Sequence, residues 1–139
     1  MDSSSIVSLH LQEAERADKI GLLIDSADVV SCSRIAYVEV RRALARARQV
    51  RPRRLSARQY GKALSEFNAD WPRYLRLAIN ERLIHAAGDL AETHLLKSMD
   101  ALQLASVVAL RDAVPDSLLF SSWDDNLNKA ARTEGFTLA

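Results

Sequence analysis

The stretch of sequence that decides the fold is residues 97–110, KSMDALQLASVVAL. At about 100° per residue its large apolar side chains fall on every side of a helix, so we expect the rest of the chain to surround it. Ser98 is a candidate N-cap, and it places Asp100 in the first turn, where backbone N–H groups and the helix dipole favour a negative charge. The pattern predicts a core helix with a carboxylate at its start. Taken alone, Asp100 is best interpreted as an ordinary first-turn acid.

Composition excludes several classes of protein. With 139 residues, 48% of them hydrophobic, the chain is long enough for one domain over residues 1–139 with a core that needs no disulfides. The single cysteine, Cys32, excludes a disulfide scaffold and a zinc–thiolate site, and we expect it to be a small buried apolar residue. Residues 1–5 lack signal-peptide features, and no apolar run approaches the roughly 18 residues of a membrane span. These features predict a soluble, cytoplasmic protein with no membrane partner.

Positive charge is concentrated in one segment. Residues 41–54 hold seven arginines and no acidic residue, although the net charge of the whole chain is only +1. Such a segment can contact a phosphate backbone, while a solvated helix face is the commoner explanation of an arginine-rich run. A contact with nucleic acid is therefore one of two open interpretations.

Apolar and capping patterns predict alternating helices and strands. Short apolar runs predict buried parallel strands at Val29–Cys32 and Ser117–Ser122, and weaker patterns predict strands at Tyr74–Ile79 and Phe136–Ala139. The helices between them are predicted at about residues 2–11, 12–24, 33–49 (capped by Ser33 and stopped by Pro52), 56–68, 80–93, 98–110 and 123–134. This order predicts a three-layer α/β domain, in which helices flank a short parallel sheet.

Three acidic residues are predicted at one edge of that sheet. Asp124 follows the strand Ser117–Ser122, Glu39 lies on the second turn of the helix after Val29–Cys32, and Asp100 begins the core helix. Sites in open parallel sheets lie at the carboxyl ends of the strands. Clustered carboxylates need a cation to offset their repulsion, and oxygen-only ligands suit Mg²⁺ or Mn²⁺. Such a site would activate water and stabilise charge on a phosphoryl oxygen, most simply for phosphodiester hydrolysis.

Two of these acids also have structural interpretations. Glu39 could pair with Arg42, three residues further along the helix, and Asp124 could be an ordinary N-cap. The histidines show no metal-ligand spacing. The residues alone leave these alternatives open.

Four short segments occur in a characteristic order: DSSS at residues 2–5, SRIAYVE at 33–39, MDALQLA at 99–105 and SSWD at 121–124. Together they resemble the PIN-domain nucleases, in particular the VapC toxins of bacterial toxin–antitoxin pairs, over essentially the whole chain. The resemblance implies a parallel-sheet domain whose acidic pocket holds Mg²⁺ or Mn²⁺ and cleaves single-stranded regions of RNA. It also implies a homodimer and a cognate antitoxin that lies across an apolar groove beside the site.

The resemblance implies roles for particular residues. The catalytic, metal-binding acids would be Asp2, Glu39, Asp100 and Asp124. Ser4 and Ser122 would occupy hydroxyl positions near the first and fourth acids, and Asp125 is a weaker candidate that could substitute or bind through water. Helical geometry, rather than the resemblance, places Arg42 and Arg46 beside Glu39, where they could hold the RNA backbone.

The chain departs from the family pattern at its beginning. Relatives carry a short apolar strand before the first acid, at the centre of the sheet, whereas only Met1 precedes Asp2. An absent central strand would cost several kcal/mol against a total stability of roughly 5–15 kcal/mol. We therefore expect the numbered start to lie a few residues late. The alternatives are that another segment of the chain fills the place of the central strand, or that the protein is a damaged member of the family. If the chain begins at Met1, we expect its α-ammonium to compete with the cation for Asp2.

The leading hypothesis is a metal-dependent endoribonuclease toxin. The alternative is a non-catalytic RNA- or protein-binding module on the same fold, in which residues 41–54 make the contacts and the carboxylates are structural. An unrelated helical regulator is disfavoured by the short buried strands. Substitution of Asp100 separates the first two hypotheses, because only the enzyme requires that carboxylate.

Overall fold

The computed structural model describes residues 1–50, 54–114 and 118–139. In these residues it contains the helices α1 (Ser3–His10), α2 (Ala14–Ser26), α3 (Ala36–Ala47), α4 (Ala57–Asp70), α5 (Glu81–His94), α6 (Ser98–Arg111) and α7 (Asp125–Thr133), and the strands β1 (Ser31–Ser33), β2 (Leu75–Leu77), β3 (Leu119–Phe120) and β4 (Thr137–Leu138). The predicted α/β class is confirmed, with most of the described chain helical. Four residues named or counted in the sequence analysis lie outside the described ranges: Arg51, Pro52, Arg53 and Ser117. No helix in the described ranges is long and apolar enough to cross a membrane.

Side-chain caps position the start of four helices. Asp2, Ser56, Asn80 and Asp124 each accept a backbone N–H from the first turn of the helix that follows. These caps satisfy backbone donors that have no partner within the helix. As a result, two of the four acids of interest, Asp2 and Asp124, are held at helix starts.

Two predicted caps are wrong. Ser33 is the last residue of β1, and α3 begins after Ile35 without a side-chain cap. The strand extends beyond the predicted apolar run because its bounds are set by pairing with β2. Ser98 is the first residue of α6 rather than its cap, since the extended Lys97 precedes it. Because α3 begins at Ala36, Glu39 lies in its first turn instead of the predicted second.

α6 is the core helix, as predicted. Ala101, Leu104 and Ala105 are at most 1% exposed, and α6 packs along α5 and against β1 and α7. Met99 is 43% exposed, so the prediction that the apolar side chains are covered on every side is wrong for the first turn. This turn lies at the rim of the molecule, which leaves neighbouring Asp100 partly accessible.

A second apolar cluster joins the amino-terminal helices. Phe67 of α4 is fully buried against Ile6 of α1 and Leu44 of α3. Cys32 lies in the same cluster at 2% exposure, and burial raises the pKa of its thiol to about 11. The prediction of a buried cysteine is confirmed, and its raised pKa favours the neutral thiol, which is a weak nucleophile.

The strands form two parallel pairs rather than one sheet. Ser31 of β1 lies opposite Leu75 of β2, and Leu119 of β3 lies opposite Thr137 of β4. In the described residues the two pairs are separate, so the predicted single sheet is wrong. Hydrophobic patterns locate strands, but they do not say whether a strand lies between two others to join them.

Met1 and Asp2 lie between the two strand pairs. The nitrogen of Met1 donates to the carbonyl of Ser31 at 2.8 Å, and the N–H of Asp2 donates to the carbonyl of Ser121 at 2.9 Å. Met1 and Asp2 therefore connect the two strand pairs through their backbone N–H groups. No ion pair joins the Met1 nitrogen to the Asp2 carboxylate among the described residues. Burial lowers the pKa of the Met1 ammonium, while the charge of Asp2 raises it by less. The predicted competition with a cation for Asp2 stays a prediction. Asp2 is fixed at the carboxyl ends of β1 and β3.

Candidate active site

Asp2 is the most deeply buried of the four candidate acids, with 4% exposure. Its Oδ2 accepts hydrogen bonds from the Ser4 hydroxyl at 2.6 Å, the Ser4 N–H at 3.1 Å and the Ser122 hydroxyl at 3.0 Å. The Ser3 hydroxyl donates to Oδ1 at 3.3 Å. Hydrogen bonds to an ionised carboxylate are roughly twice as strong as neutral ones, so this set holds the Asp2 side chain in one orientation.

The same hydroxyls connect Asp2 to the segment after β3. The Ser4 hydroxyl accepts the N–H of Trp123 at 2.8 Å, and the Ser122 hydroxyl accepts the N–H of Asp124 at 3.0 Å. Asp124 caps α7 by accepting the Leu127 N–H through Oδ1 at 2.9 Å. The alternative interpretation of Asp124 as an N-cap is therefore correct as a description of its structure. The cap holds this carboxylate in place beside the Asp2 cluster.

Glu39 is joined to the core helix by Gln103. The Gln103 side-chain Nε2 donates to Glu39 Oε2 at 2.7 Å, and Gln103 is only 4% exposed. Gln103 lies three residues after Asp100, so the two side chains share one face of α6. That face therefore carries the Asp100 carboxylate and also the amide that orients Glu39. The alternative pairing of Glu39 with Arg42 does not occur among the described ion pairs.

The four carboxylates interact electrostatically. Burial raises the pKa of Glu39, and the charges of Asp2 and Asp100 raise it further, while the hydrogen bond from Gln103 lowers it. Burial also raises the pKa of Asp100, with further upward contributions from Asp124 and Asp2. The charge of Lys97 acts in the opposite direction on Asp100, but the net change of the pKa is upward, so Lys97 balances the negative charge at this rim only in part.

The oxygen atoms of the four candidate acids are the kind that hard divalent cations prefer. In the structure, however, these side chains are not arranged as the ligands of a single ion. Within residues 1–50, 54–114 and 118–139, no three His, Cys, Asp or Glu side chains form a group that could hold a metal ion as they stand. Mutual repulsion favours this separation, and each carboxylate is held by its own protein donors or helix end. The available atoms are carboxylate and hydroxyl oxygens, which suit Mg²⁺ or Mn²⁺ better than Zn²⁺, whose usual ligands are Cys and His. A divalent cation would offset the charge that raises the pKa values of Glu39 and Asp100.

Comparison with known proteins identifies the family. The chain matches the model of the PIN domain over residues 1–132. The chain belongs to the PIN-domain family. This PIN domain is similar to two proteins of Mycobacterium tuberculosis, Ribonuclease VapC45 of strain CDC 1551 / Oshkosh and Ribonuclease VapC49 of strain ATCC 25618 / H37Rv. Each is 31% identical over 138 residues, which cover 99% of this chain and 92% of the relative. No solved structure gives a significant match.

The arginine-rich segment of this PIN domain has two kinds of side chain. Arg41 and Arg48 lie over aromatic rings, with their guanidinium carbons 5.4 and 5.6 Å from the ring centres. Arg42 and Arg46 are exposed on α3, the helix that carries Glu39. The first pair contributes to packing, and the second pair is accessible to an anionic ligand.

Three site features were missed or left uncertain by the sequence analysis. Gln103 was part of a recognised segment but received no role, although a buried amide among apolar residues of a core helix needs a partner. Trp123 is held by its indole N–H, which donates to the Ser8 hydroxyl at 2.9 Å. Asp125 is exposed in the first turn of α7.

Proposed function

We propose that this PIN domain is an endoribonuclease that hydrolyses phosphodiester bonds in single-stranded regions of RNA and depends on Mg²⁺ or Mn²⁺. The observation that carries the proposal is that Asp2, Glu39, Asp100 and Asp124 lie close enough together for their charges to act on one another; together with burial, these charges raise the pKa values of Glu39 and Asp100. Membership of the PIN family and two relatives named ribonucleases support it. The proposal includes one domain over residues 1–139, a cytoplasmic location, a homodimer and a cognate antitoxin, with this chain as the toxin.

The proposed site uses the acids Asp2, Glu39, Asp100 and Asp124 to hold the cation. A bound Mg²⁺ or Mn²⁺ supplies activation of water and stabilisation of charge on phosphoryl oxygens. The chain keeps the acids in place: Ser4 and Ser122 orient Asp2, Gln103 orients Glu39, and the cap of α7 holds Asp124. The N-terminal end of α6 favours the negative charge of Asp100. Water is the nucleophile, and no side chain is needed as a covalent nucleophile.

Metal dependence is the first expected result. A mixed-sequence single-stranded RNA is incubated with the protein in Mg²⁺, in Mn²⁺ and in a chelator, and fragments are measured on a denaturing gel. We expect cleavage in at least one metal and none in the chelator, because crowded carboxylates require a cation to act together. Cleavage that persists in the chelator would contradict the metal site. RNA binding without cleavage in either metal would favour the binding module.

The exposed arginines give a second expected result. Changing Arg42 and Arg46 together to Gln is expected to raise KM severalfold and to leave kcat nearly unchanged, because phosphate contacts position RNA without taking part in hydrolysis. The slope of log K against log salt is expected to fall by about 0.7 for each lost contact with a single strand. Arg58→Gln, on exposed α4, is the matched control and is expected to behave as wild type. An unchanged salt slope in the double variant would contradict the contact.

A further inference from the structure

Helix α1 buries two serine side chains almost completely. Ser5 and Ser8 are at most 1% exposed, and they lie three residues apart on one face of the helix. Serine is seldom fully buried, and a buried hydroxyl needs a hydrogen-bond partner. The partners of these two hydroxyls therefore show what the serines contribute to the fold.

Both hydroxyls contact the segment after β3, which leads to Asp124. The Ser5 hydroxyl lies 2.9 Å from the Ser121 hydroxyl, within hydrogen-bond distance. The Ser8 hydroxyl donates to the Ser5 carbonyl at 2.8 Å and accepts the indole N–H of Trp123 at 2.9 Å. Because the hydroxyl proton of Ser8 is used within α1, its oxygen is left as an acceptor for the indole.

Trp123 is held at its backbone as well as at its side chain. Its N–H donates to the Ser4 hydroxyl at 2.8 Å, and this hydroxyl donates to Asp2 Oδ2 at 2.6 Å. Ser4 and Ser8 lie one turn apart on α1, so Trp123 makes two bonds to one face of that helix. Two such bonds fix both the position and the direction of the chain at Trp123, and Asp124 is the next residue.

The first two turns of α2 place cations over the Trp123 ring. The guanidinium carbon of Arg16 lies 5.0 Å from the ring centre, and Lys19 Nζ lies 5.6 Å from it. Lys19 also donates to the Ala139 carbonyl at 3.1 Å. Cations at these distances are attracted to the electron-rich face of an indole. The indole is therefore fixed by α1 through its N–H and by α2 through its ring.

The turn between α1 and α2 has an uncommon backbone conformation. Gln12 and Ala14 have φ values of 52° and 34°, in the left-handed region that non-glycine residues rarely adopt. Such conformations persist where the surroundings over-determine them. Between these two residues, the Glu13 N–H donates to the Ser8 carbonyl at 3.0 Å. Ser8 thus holds the turn through its carbonyl and the indole through its hydroxyl.

We propose that Trp123 is a positioning residue, which acts through its indole bond to Ser8 to keep Asp124 beside Asp2 for the binding of a divalent cation. The inference rests on the proposed metal site, and it extends that site beyond the acids and their direct partners. The charges of neighbouring carboxylates repel each other, so such acids stay together only where the chain that carries them is fixed. Asp2 begins α1, and the bond between Ser8 and Trp123 fastens the segment with Asp124 to the same helix.

The test compares Ser8→Ala, Trp123→Phe and the double variant with wild type. Each single change removes one partner of the indole bond, and Phe keeps an aromatic ring beneath the cations. Binding of Mn²⁺ is measured without RNA, from the loss of the electron paramagnetic resonance signal of the free ion. Each single variant is expected to bind Mn²⁺ about threefold or more weakly, a smaller effect than the roughly 10–100-fold of a direct partner of a ligand. The double variant is expected to match the weaker single variant, because both changes remove the same bond.

Ser106→Ala and Trp71→Phe are the matched controls. Ser106 is buried and donates within α6, and Trp71 lies against Phe67, with ring centres 5.7 Å apart. Both controls are expected to bind Mn²⁺ as wild type does, and melting curves check that every variant is folded at the temperature of the measurement. Wild-type Mn²⁺ affinity in folded Ser8→Ala and Trp123→Phe would overturn the positioning role. Losses that multiply in the double variant, or equal losses in the controls, would also overturn it.

The same measurement separates this inference from the proposed function. Weaker Mn²⁺ binding by the variants supports the positioning role whether or not wild type cleaves RNA, and wild type that binds Mn²⁺ without cleavage would overturn only the ribonuclease. Variants that match a wild type active on RNA would overturn only the positioning role. A wild type that binds no Mn²⁺ would overturn the metal site and the positioning role together.

Discussion

Replacing Asp100 with Asn is expected to reduce RNA cleavage by about a hundredfold or more while the protein remains folded. Even the outer hydrogen-bond partners of a metal site are worth about 10–100-fold, so a direct ligand is worth at least the upper end of that range. Asn keeps the size of the side chain but removes the charge that would balance a cation. Cleavage rates of purified wild type and variant at saturating Mg²⁺ measure the effect, and circular dichroism confirms the fold.

The same substitution has an expected effect on stability with a definite sign. The pKa of Asp100 is raised in the folded protein, chiefly by burial and then by the charges of Asp124 and Asp2. Between the pKa of Asp100 in the unfolded chain and its higher pKa in the folded protein, Asp100 loses its proton more readily in the unfolded state. The free energy of unfolding therefore falls as pH rises through this range, and the full loss of stability is present above the pKa in the folded protein. Asn removes this cost. In a chelator at neutral pH, the variant is expected to melt above wild type, and the difference is expected to vanish below the unfolded pKa.

Asp112→Asn is the matched control for both measurements. Asp112 is exposed at the C-terminal end of the same helix, far from the candidate acids. It is expected to retain cleavage. Wild-type cleavage by a folded Asp100→Asn protein would contradict the proposed site. A clearly lower melting temperature for that variant in the chelator would contradict the electrostatic interpretation of the raised pKa.

The helices were predictable where a single segment carries both their apolar pattern and their cap. The apolar positions of residues 97–110 identify the core helix, and Ser56 and Asn80 identify helix starts through side-chain caps only three residues from their partners. Ser33 and Ser98 show the limit of this reasoning, because a serine can lie in a strand or inside a helix as easily as at a cap. The separation of the two strand pairs was not predictable from local patterns, since it depends on what lies between distant strands.

Some residues of the candidate site were predictable from the sequence, and their hydrogen-bond partners were not. The acids came from the four segments and from their expected places at the ends of strands. Their partners are remote in sequence: Gln103 reaches Glu39 across 64 positions, and Ser122 reaches Asp2 across 120. No periodicity encodes such pairs. The tertiary structure alone shows which polar side chain holds which acid, and therefore which residues outside the acidic set are worth substituting.

Gln103→Leu is expected to weaken the response to Mg²⁺ without removing an acid. The Gln103 amide is buried and donates to Glu39 at 2.7 Å, so it fixes the direction of that carboxylate. Leu occupies a similar volume but has no donor. Without the hydrogen bond, which lowers the pKa of Glu39, that pKa rises further and the carboxylate gains freedom. Loss of such an outer partner costs about 10–100-fold in metal affinity or activity.

The measurement is cleavage as a function of Mg²⁺ concentration. For Gln103→Leu, half-maximal activity is expected at about 10–100-fold higher Mg²⁺, with a smaller change in the rate at saturation, because the ligands themselves are intact. Ser106→Ala is the control: Ser106 is buried on the same helix, and its hydroxyl donates to the Leu102 carbonyl at 2.7 Å within that helix. It removes a buried hydrogen bond without touching Glu39, so its Mg²⁺ dependence is expected to match wild type. Identical Mg²⁺ curves for Gln103→Leu and wild type would show that Glu39 does not need this amide to bind metal, and a comparable shift in Ser106→Ala would assign the effect to helix stability instead.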